Sequence, residues 1–221
     1  MRGKLIVIEG LDGCGKNTQT NLLVNYFKNK GEKVKYLSFP DYSQPSSSLI
    51  KMYLNSEFGN APNDVNAYAA ASFFAIDRFA SFKKGWSKDY ENGCTVICDR
   101  YTTSNAFYQM CKLEDYLWEE YLAWLYDYEY NKLGLPRPDL VLYLKVPIEL
   151  SQTLITNRYN GNEDKKDLHE SNTLFLKNCE RTANYVAKKD KWSIIECCNG
   201  INMKSKLSIH EEIVNCIEGE I

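Results

Sequence analysis

The sequence has 221 residues, of which 44% are hydrophobic, and this length suits one large α/β domain. The formal net charge is −2 and the isoelectric point is about 5.8, which excludes a general positive field for nucleic acid or an anionic membrane. No apolar run approaches the roughly 18 residues of a membrane span. We therefore expect a single domain over residues 1–221 that binds small molecules, without nucleic acid or membrane partners.

The eight cysteines would suggest disulfides in a small secreted protein, but a chain of this length folds without them. The chain begins without the pattern of a signal peptide, so we expect a cytoplasmic protein with reduced thiols. The cysteine spacing does not supply two C-x-x-C halves, and we expect no zinc site.

Five short apolar runs predict strands, because nearly continuous hydrophobicity is typical of strands buried on both faces of a parallel sheet. The segments between them are long enough for crossover helices. The alternation predicts a doubly wound α/β fold, in which a five-stranded parallel sheet has helices on both faces. The predicted strands cover residues 4–9, 33–39, 94–99, 139–146 and 192–197.

The helix predicted around residues 66–82 is apolar around nearly its whole circumference. This pattern suits a helix that packs on the sheet on one side and on a second subunit on the other, so we expect a homodimer. The alternative is a helix buried within the monomer. The predicted helices cover residues 16–30, 45–55, 64–90, 103–110, 114–131, 147–158, 168–190 and 205–218.

The stretch "IEGLDGCGKNTQT" follows the P-loop pattern G-x-x-x-x-G-K-[ST] except at Asn17, where the pattern has serine or threonine. Glycines let backbone N–H groups turn toward phosphate oxygens, and the following helix presents the positive end of its dipole. The loop follows a predicted strand and opens a predicted helix, so we expect it to bind ATP. The expected contacts come from Gly10, Leu11, Asp12, Gly13, Cys14, Gly15, Lys16, Asn17 and Thr18.

Three residues of this loop have specific expected roles. Lys16 is expected to reach the β- and γ-phosphates as a point charge. The amide oxygen of Asn17 is a suitable ligand for magnesium, and direct ligation, ligation through water and transfer of the ion to another carboxylate all stay open. Cys14 lies near a helix N-terminus, and we expect a lowered thiol pKa and sensitivity to oxidation there.

The stretch "CTVICDRYTTS" places Asp99 and Arg100 at the carboxyl end of a predicted strand, where doubly wound sheets bind ligands. Asp99 is a candidate magnesium ligand, and the guanidinium of Arg100 is a candidate fork for phosphate oxygens. The alternative is a salt bridge at the strand end.

Two further stretches suggest an acceptor pocket. Phe39 and Pro40 end the second predicted strand, and Phe74 and Arg78 lie four residues apart on one helix face. An aromatic ring and a guanidinium on one face can stack on a nucleobase and donate hydrogen bonds to it. The alternative is core packing beside a solvated arginine.

With these pieces assembled, the chain resembles the thymidylate kinase family. The segments "IEGLDGCGKNTQ", "SFPDYS", "FFAIDR", "DRYTTS" and "GLPRPDLVLYL" follow that family's order and approximate spacing, from about residue 4 to residue 190. The resemblance implies a P-loop kinase fold and transfer of the γ-phosphoryl group of ATP to thymidine monophosphate, with magnesium, in nucleotide biosynthesis.

The resemblance also implies roles for individual residues. Asp12 would lie near the acceptor's sugar and phosphate, and Asp99 near the magnesium shell. Arg100 would contact the acceptor phosphate, Phe74 would stack on thymine, and Arg78 would donate to its O4 edge. The remaining expected acceptor contacts are Phe39, Pro40, Tyr42, Ser104 and Tyr108.

Some family members carry an arginine inside the P-loop, whereas others supply basic residues from a lid. This P-loop has no arginine, so we expect the polar segment 157–171 to act as the lid and Arg158 to be catalytic. The same segment holds two further candidates, Lys165 and Lys166.

Tyr42 stands where the family commonly has an arginine that contacts the acceptor phosphate, so the acceptor base is left open among deoxynucleoside monophosphates. A deoxynucleoside kinase is an alternative, with Glu9 or Asp99 as the general base. A catalytically silent nucleotide-binding protein is another, with Asn17 as the lesion. A GTPase would need N-K-x-D, and "NKLG" lacks the aspartate.

Overall fold

The computed structural model describes residues 1–162, 166–200 and 202–220. Five strands form one sheet in the order β2-β3-β1-β4-β5, and all of the pairings within it are parallel. The predicted strands and their parallel arrangement are therefore confirmed. The strands are β1 (Leu5–Glu9), β2 (Val34–Ser38), β3 (Thr95–Asp99), β4 (Leu140–Lys145) and β5 (Ser193–Glu196).

The central strand β1 shows why the sheet is covered on both faces. Leu5 and Val7 belong to one buried apolar cluster, whereas Ile6 and Ile8 belong to another. Successive side chains of a strand point to opposite faces, so each cluster lies on its own side of the sheet. Asp99 is in register with Ile8 on one side and with the end of β2 on the other. The carboxyl ends of three strands therefore meet at one edge.

Helices lie on both faces of the sheet, as predicted. None of the helices in the described ranges has the length and apolar character needed to cross a membrane. The helices are α1 (Lys16–Asn29), α2 (Ser48–Leu54), α3 (Ala67–Ser81), α4 (Ser87–Glu91), α5 (Thr102–Tyr108), α6 (Trp118–Tyr126), α7 (Ile148–Arg158), α8 (Thr173–Lys189) and α9 (Lys206–Glu220).

Two of the predicted helices contain a π-helical stretch. The predicted helix 64–90 contains α3, a π-helical stretch over Phe82–Trp86 and α4. In the predicted helix 114–131, α6 is followed by a π-helix over Asp127–Lys132. Hydrophobic periodicity does not distinguish the α ladder from the wider π ladder, which is set by the tertiary environment.

The predicted start of a helix at residue 168 is wrong. Helix α8 begins at Thr173, and the side chain of Asn172 caps it by accepting a hydrogen bond from the N–H of Phe175 at 2.9 Å. A short antiparallel hairpin that was not predicted is formed by β6 (Cys198–Asn199) and β7 (Asn202–Met203).

The segment 157–171 is only in part the surface excursion that its composition predicts. Leu168, His169 and Glu170 are 6%, 6% and 4% exposed. The ring of His169 stacks on Tyr108 and packs against the start of α8, so a polar stretch is held in the interior. The candidate Lys165 lies outside the described residues.

Helix α3 is buried on one side and open on the other. Ala70, Ala71 and Ala75 are fully buried, whereas Ile76 is 46% exposed. The chain therefore leaves an apolar patch of α3 facing outward. The homodimer stays a prediction.

Candidate active site

The loop between β1 and α1 has the backbone shape of a phosphate cradle. Gly13 and Gly15 have φ of 80° and 91°, in the left-handed region that favours glycine. A Cβ on Gly13 would lie 2.6 Å from the carbonyl oxygen of Ser151, so a side chain there would also clash. Glycines in this conformation let backbone N–H groups of a loop turn toward an anion bound at the N-terminus of the following helix.

Lys16 opens α1 and is 7% exposed. Its Nζ donates to the carbonyl oxygens of Gly10 and Leu11 at 3.0 and 2.9 Å. The side chain thus folds back over the loop and lines the larger cavity of the site. The ammonium group is therefore held close to the loop, within reach of a phosphate that the loop would bind.

Not every residue of the P-loop offers its side chain to this cavity. Leu11 and Cys14 are 4% and 2% exposed and pack in the two apolar clusters. They and Gly10 can contact a phosphate only through the backbone. The expected low pKa of Cys14 is wrong, because burial raises the pKa of this thiol and outweighs the positive charge of Lys16. The proposed oxidation sensitivity of the loop loses its basis.

The larger cavity has a volume of about 610 Å³ and lies over the carboxyl ends of the strands. It gathers predicted residues from four separate parts of the chain: the P-loop, the end of β2, the end of β3 and the end of α7. Those lining it are Asp12, Gly13, Gly15, Lys16, Asn17, Thr18, Phe39, Pro40, Tyr42, Asp99, Arg100 and Arg158.

The two candidate metal ligands, Asp99 and Asn17, both face this cavity. Asp99 is 8% exposed. The amide of Asn17 donates to the hydroxyl of Tyr36 at 3.2 Å and accepts from Asn21 at 3.1 Å. Within the described ranges no cluster of three or more histidine, cysteine or acidic residues could hold a metal. One carboxylate and one amide oxygen fit magnesium, which takes few protein ligands besides phosphates and water.

A narrower cavity of about 80 Å³ adjoins the first. Every residue predicted to contact the acceptor lines it, and Phe39 and Pro40 are joined by a cis peptide bond. The predicted lining residues are Asp12, Phe39, Pro40, Tyr42, Phe74, Arg78, Arg100, Ser104 and Tyr108. Five further lining residues were not predicted: Leu54, Asn105, Gln109, Asp167 and His169.

Arg100 lies at the junction of the two cavities. Its Nη2 donates to Oδ1 of Asp12 at 2.6 Å, while the Tyr108 hydroxyl donates to Oδ2 at 2.7 Å. Arg100 also has φ of 69°, an uncommon backbone conformation that is enriched at functional sites. Burial opposes ionisation of Asp12, but Arg100 and Lys16 outweigh it and hold the pKa of Asp12 well below its ordinary value.

The predicted pair on α3 does face one cavity, but Arg78 is not solvated. It is 2% exposed and forms a bidentate ion pair with Glu129, with N···O distances of 2.8 and 2.6 Å. The ring of Phe74 meets Tyr53 edge to face with centroids 6.5 Å apart. A base entering the pocket would therefore meet a supported ring and a fixed guanidinium.

Gln109 has a buried side-chain oxygen without a hydrogen-bond partner among the described residues. It is 1% exposed and lines the narrow cavity, yet no described group bonds its Oε1. Buried polar atoms are normally satisfied, so this carboxamide is a candidate to bond a ligand. In the sequence, Gln109 directly follows a predicted site tyrosine, but nothing there distinguishes it from a structural glutamine.

The segment before α8 contributes Asp167 and His169 to the cleft, and the pKa values of both side chains are strongly shifted. Asp167 lines both cavities, and burial together with the charge of Asp12 raises its pKa to about 7. Burial and the nearby Lys112 lower the pKa of His169 to about 3, so the ring is neutral. Arg158 approaches Glu170 at 3.5 Å, and both line the larger cavity.

Glu9, the alternative general base, has no access to either cavity. It is fully buried, and its carboxylate accepts hydrogen bonds from the N–H of Tyr101 at 3.2 Å and the hydroxyl of Thr103 at 2.6 Å. Ser104 donates a further hydrogen bond at 2.9 Å. Burial raises its pKa despite these partners. The structure therefore assigns Glu9 to holding α5 against β1.

Comparison with known proteins points in one direction. The family model for thymidylate kinase matches residues 8–207. A thymidylate kinase of Mycobacterium tuberculosis strain H37Rv is 37% identical over 150 residues, covering 66% of this chain and 68% of that protein. One from Plasmodium falciparum is 31% identical over 213 residues, covering 96% and 89%. The solved thymidylate kinase of Candida albicans superposes with a TM-score of 0.72 at 25% identity, covering 99% and 92%.

Proposed function

The chain belongs to the thymidylate kinase family, and we propose that its cleft transfers the γ-phosphoryl group of ATP to thymidine monophosphate. One observation carries this proposal: the two cavities share Asp12 and Arg100. A triphosphate in the larger cavity and a monophosphate in the narrow one would then meet end to end. The γ-phosphorus–oxygen bond to ADP breaks as a bond forms to an acceptor phosphate oxygen.

The acceptor is already an anionic phosphate, so the reaction depends less on a general base than on bringing two anions together. Lys16 supplies positive charge at the donor phosphates, and Arg100 supplies it at the junction. Arg158 supplies a third positive charge from the end of α7. These local cations are needed because the chain has a slightly negative net charge, which does not attract anionic nucleotides.

Magnesium accompanies ATP in this proposal, and Asp99 and Asn17 are the residues that would hold it. When bound, the ion supplies neutralisation of charge on the β- and γ-phosphate oxygens. Asp99 is fixed by its strand, whereas Asn17 is held by hydrogen bonds to side chains of β2 and α1.

The narrow cavity suits a thymine base. Phe74 offers a ring face for stacking, and Arg78 offers a donor for O4. The carboxamide of Gln109 carries a donor and an acceptor, which complement the N3–H and an adjacent carbonyl of thymine. Tyr108 stands at the sugar and is a candidate to crowd a ribose 2′-hydroxyl.

An acceptor phosphate at the junction of the cavities would lie beside Tyr42 and Asp167, which together set the charge of its surroundings. Tyr42 supplies a single hydroxyl in place of the family's usual arginine, so it cannot provide a charge-assisted fork. Burial and the charge of Asp12 raise the pKa of Asp167 to about 7, so this carboxyl holds a proton near neutral pH more readily than an ordinary aspartate. The neutral form avoids repulsion of an incoming phosphate, which partly offsets the missing arginine.

We also propose a homodimer in the cytoplasm. The outward apolar patch of α3 supports association. All eight cysteines are free thiols, and the sulfurs of Cys111 and Cys179 lie 3.4 Å apart in a thiol–thiol hydrogen bond and not in a disulfide, which suits a reducing compartment.

A coupled assay of ADP release tests the reaction. Purified protein with ATP is supplied with dTMP, dUMP, dCMP, dAMP, dGMP or thymidine, with and without magnesium. We expect the highest kcat/KM with dTMP and no turnover without the metal. Turnover of thymidine alone would establish a nucleoside kinase, and ATP binding without turnover of any acceptor would establish a silent protein.

A further inference from the structure

We propose that Glu129 is a positioning residue for acceptor recognition: it fixes the guanidinium of Arg78 so that one terminal nitrogen, Nη1, is left for the base. The inference rests on the proposed function, because it takes thymidine monophosphate as the acceptor. Glu129 lines neither cavity and comes from the far side of the pocket wall, so it acts through Arg78.

The contacts of Arg78 divide its nitrogens into two groups. Its Nε donates to Oε2 of Glu129 at 2.8 Å, and its Nη2 donates to Oε1 at 2.6 Å. No residue in the described ranges accepts a hydrogen bond from Nη1, although the side chain is only 2% exposed. Because Arg78 lines the narrow cavity, Nη1 is the nitrogen available to a ligand there.

The carboxylate of Glu129 is itself fixed. Oε2 also accepts from the hydroxyl of Thr102 at 2.7 Å, and Oε1 also accepts from the amide of Asn105 at 2.9 Å. A carboxylate has about four lone-pair sites, and four donors occupy them. Thr102 and Asn105 lie on α5, which also carries the acceptor-pocket residues Ser104 and Tyr108. The orientation of Arg78 is thereby tied to the same helix that shapes the pocket.

Stability alone does not explain this arrangement. Burying two charges costs desolvation free energy, and replacement of a buried ion pair by apolar residues is often neutral or stabilising. Glu129 is fully buried and lies in the π-helix that follows α6, a geometry that is often found at functional sites. These properties are those expected of an ion pair that orients the guanidinium of Arg78.

A fixed Nη1 distinguishes pyrimidines. Thymine presents the O4 acceptor to this donor, whereas cytosine presents an amino group, which is also a donor. With Glu129 in place, Arg78 cannot turn away from a cytosine, and two donors face each other. Without Glu129 the arginine is free to move, so both the attraction to thymine and the rejection of cytosine weaken.

A double-mutant cycle tests the inference. We measure kcat and KM for dTMP and dCMP in the wild type, Glu129→Gln, Arg78→Met and the double variant. We expect Glu129→Gln to raise the KM for dTMP about 10-fold or more, with kcat within about threefold and the preference for dTMP over dCMP reduced at least 10-fold. If Glu129 acts through Arg78, the double variant behaves like Arg78→Met alone.

Glu119→Gln is the matched control. Glu119 lies on α6 and pairs with Lys189 on the surface, with 61% of its side chain exposed. We expect unchanged kinetics for both nucleotides. The KM for ATP is a second internal control, because Glu129 does not line the donor cavity.

Additive losses in the double variant, or an unchanged dTMP to dCMP preference in Glu129→Gln, overturn the inference. If Glu129→Gln does not give a native circular-dichroism spectrum, Glu129→Asp keeps the charge but withdraws the carboxylate by one methylene. A loss of selectivity is then expected, and its absence overturns the inference. A wild type that is inactive with dTMP refutes the proposed function, whereas an active wild type with additive losses refutes only the role of Glu129.

Discussion

At the scale of single residues, Asn17 is the position at which the P-loop departs from its pattern. The geometry of the loop comes from glycine backbone conformations and from Lys16, and neither depends on the residue at position 17. Asp99 faces the same cavity as Asn17, and these are the two residues proposed to hold magnesium. The departure from the P-loop pattern thus leaves the phosphate cradle intact.

We predict unequal effects of two substitutions in this loop. Lys16→Ala should lower kcat by about 10²-fold to 10³-fold, because it removes the positive ammonium group that stabilises negative charge developing on the phosphate oxygens. Asn17→Ser should change kcat by less than about threefold and shift the magnesium dependence modestly. Magnesium titrations in the coupled assay measure both effects. Appearance of activity only in Asn17→Ser would contradict this account and identify the native loop as silent.

At the scale of secondary-structure elements, the end of α7 carries Arg158, the residue that we propose as the lid cation. The helix ends at Arg158, and Asn160 and Gly161 follow with φ of 53° and 77°. Left-handed residues of this kind end a helix. Arg158, in the last turn of α7, lines the larger cavity. Its partner at 3.5 Å, Glu170, belongs to the buried segment before α8.

We predict that Arg158→Ala lowers kcat by about 10²-fold and leaves the KM for dTMP within about threefold, because arginines of this kind act on the transferring phosphoryl group. Steady-state kinetics with ATP and dTMP measure the split. Arg181→Ala is the control, since this arginine pairs with Asp115 on the surface and 55% of its side chain is exposed. A change confined to the KM for ATP would instead assign Arg158 to nucleotide binding.

At the scale of the whole molecule, the outward face of α3 is apolar. Ile76 is 46% exposed there, and Phe58, which is 36% exposed, packs against Phe73 with ring centroids 5.8 Å apart. The buried face of the same helix carries Arg78. A partner subunit packed on the outward face of α3 would therefore support the helix that carries Arg78 of the acceptor pocket.

We predict that the wild type is a dimer at micromolar concentration and that Ile76→Glu shifts it to monomer, because a charge would be buried against the partner helix. Sedimentation velocity measures the mass of each species. Leu207→Glu is the control, since Leu207 is 64% exposed on α9, away from α3. A monomeric wild type would refute the dimer and assign the apolar face another role.

The sequence by itself determined the five parallel strands and the phosphate loop. Both are local patterns: continuous hydrophobicity predicts a strand buried on two faces, and Gly13 and Gly15 permit backbone angles that other residues rarely adopt. Phe74 and Arg78 were also predictable as a pair, because helical spacing places residues four apart on one face.

The tertiary structure alone decided which polar side chains are buried and what they bind. Glu129, Gln109 and His169 look like ordinary polar residues in the sequence, but in the structure distant elements remove their side chains from water. The same burial reversed the expectation for Cys14, since desolvation outweighed the local positive charge. Desolvation depends on the whole assembly of elements around a side chain, and a local pattern of residue types does not carry that information.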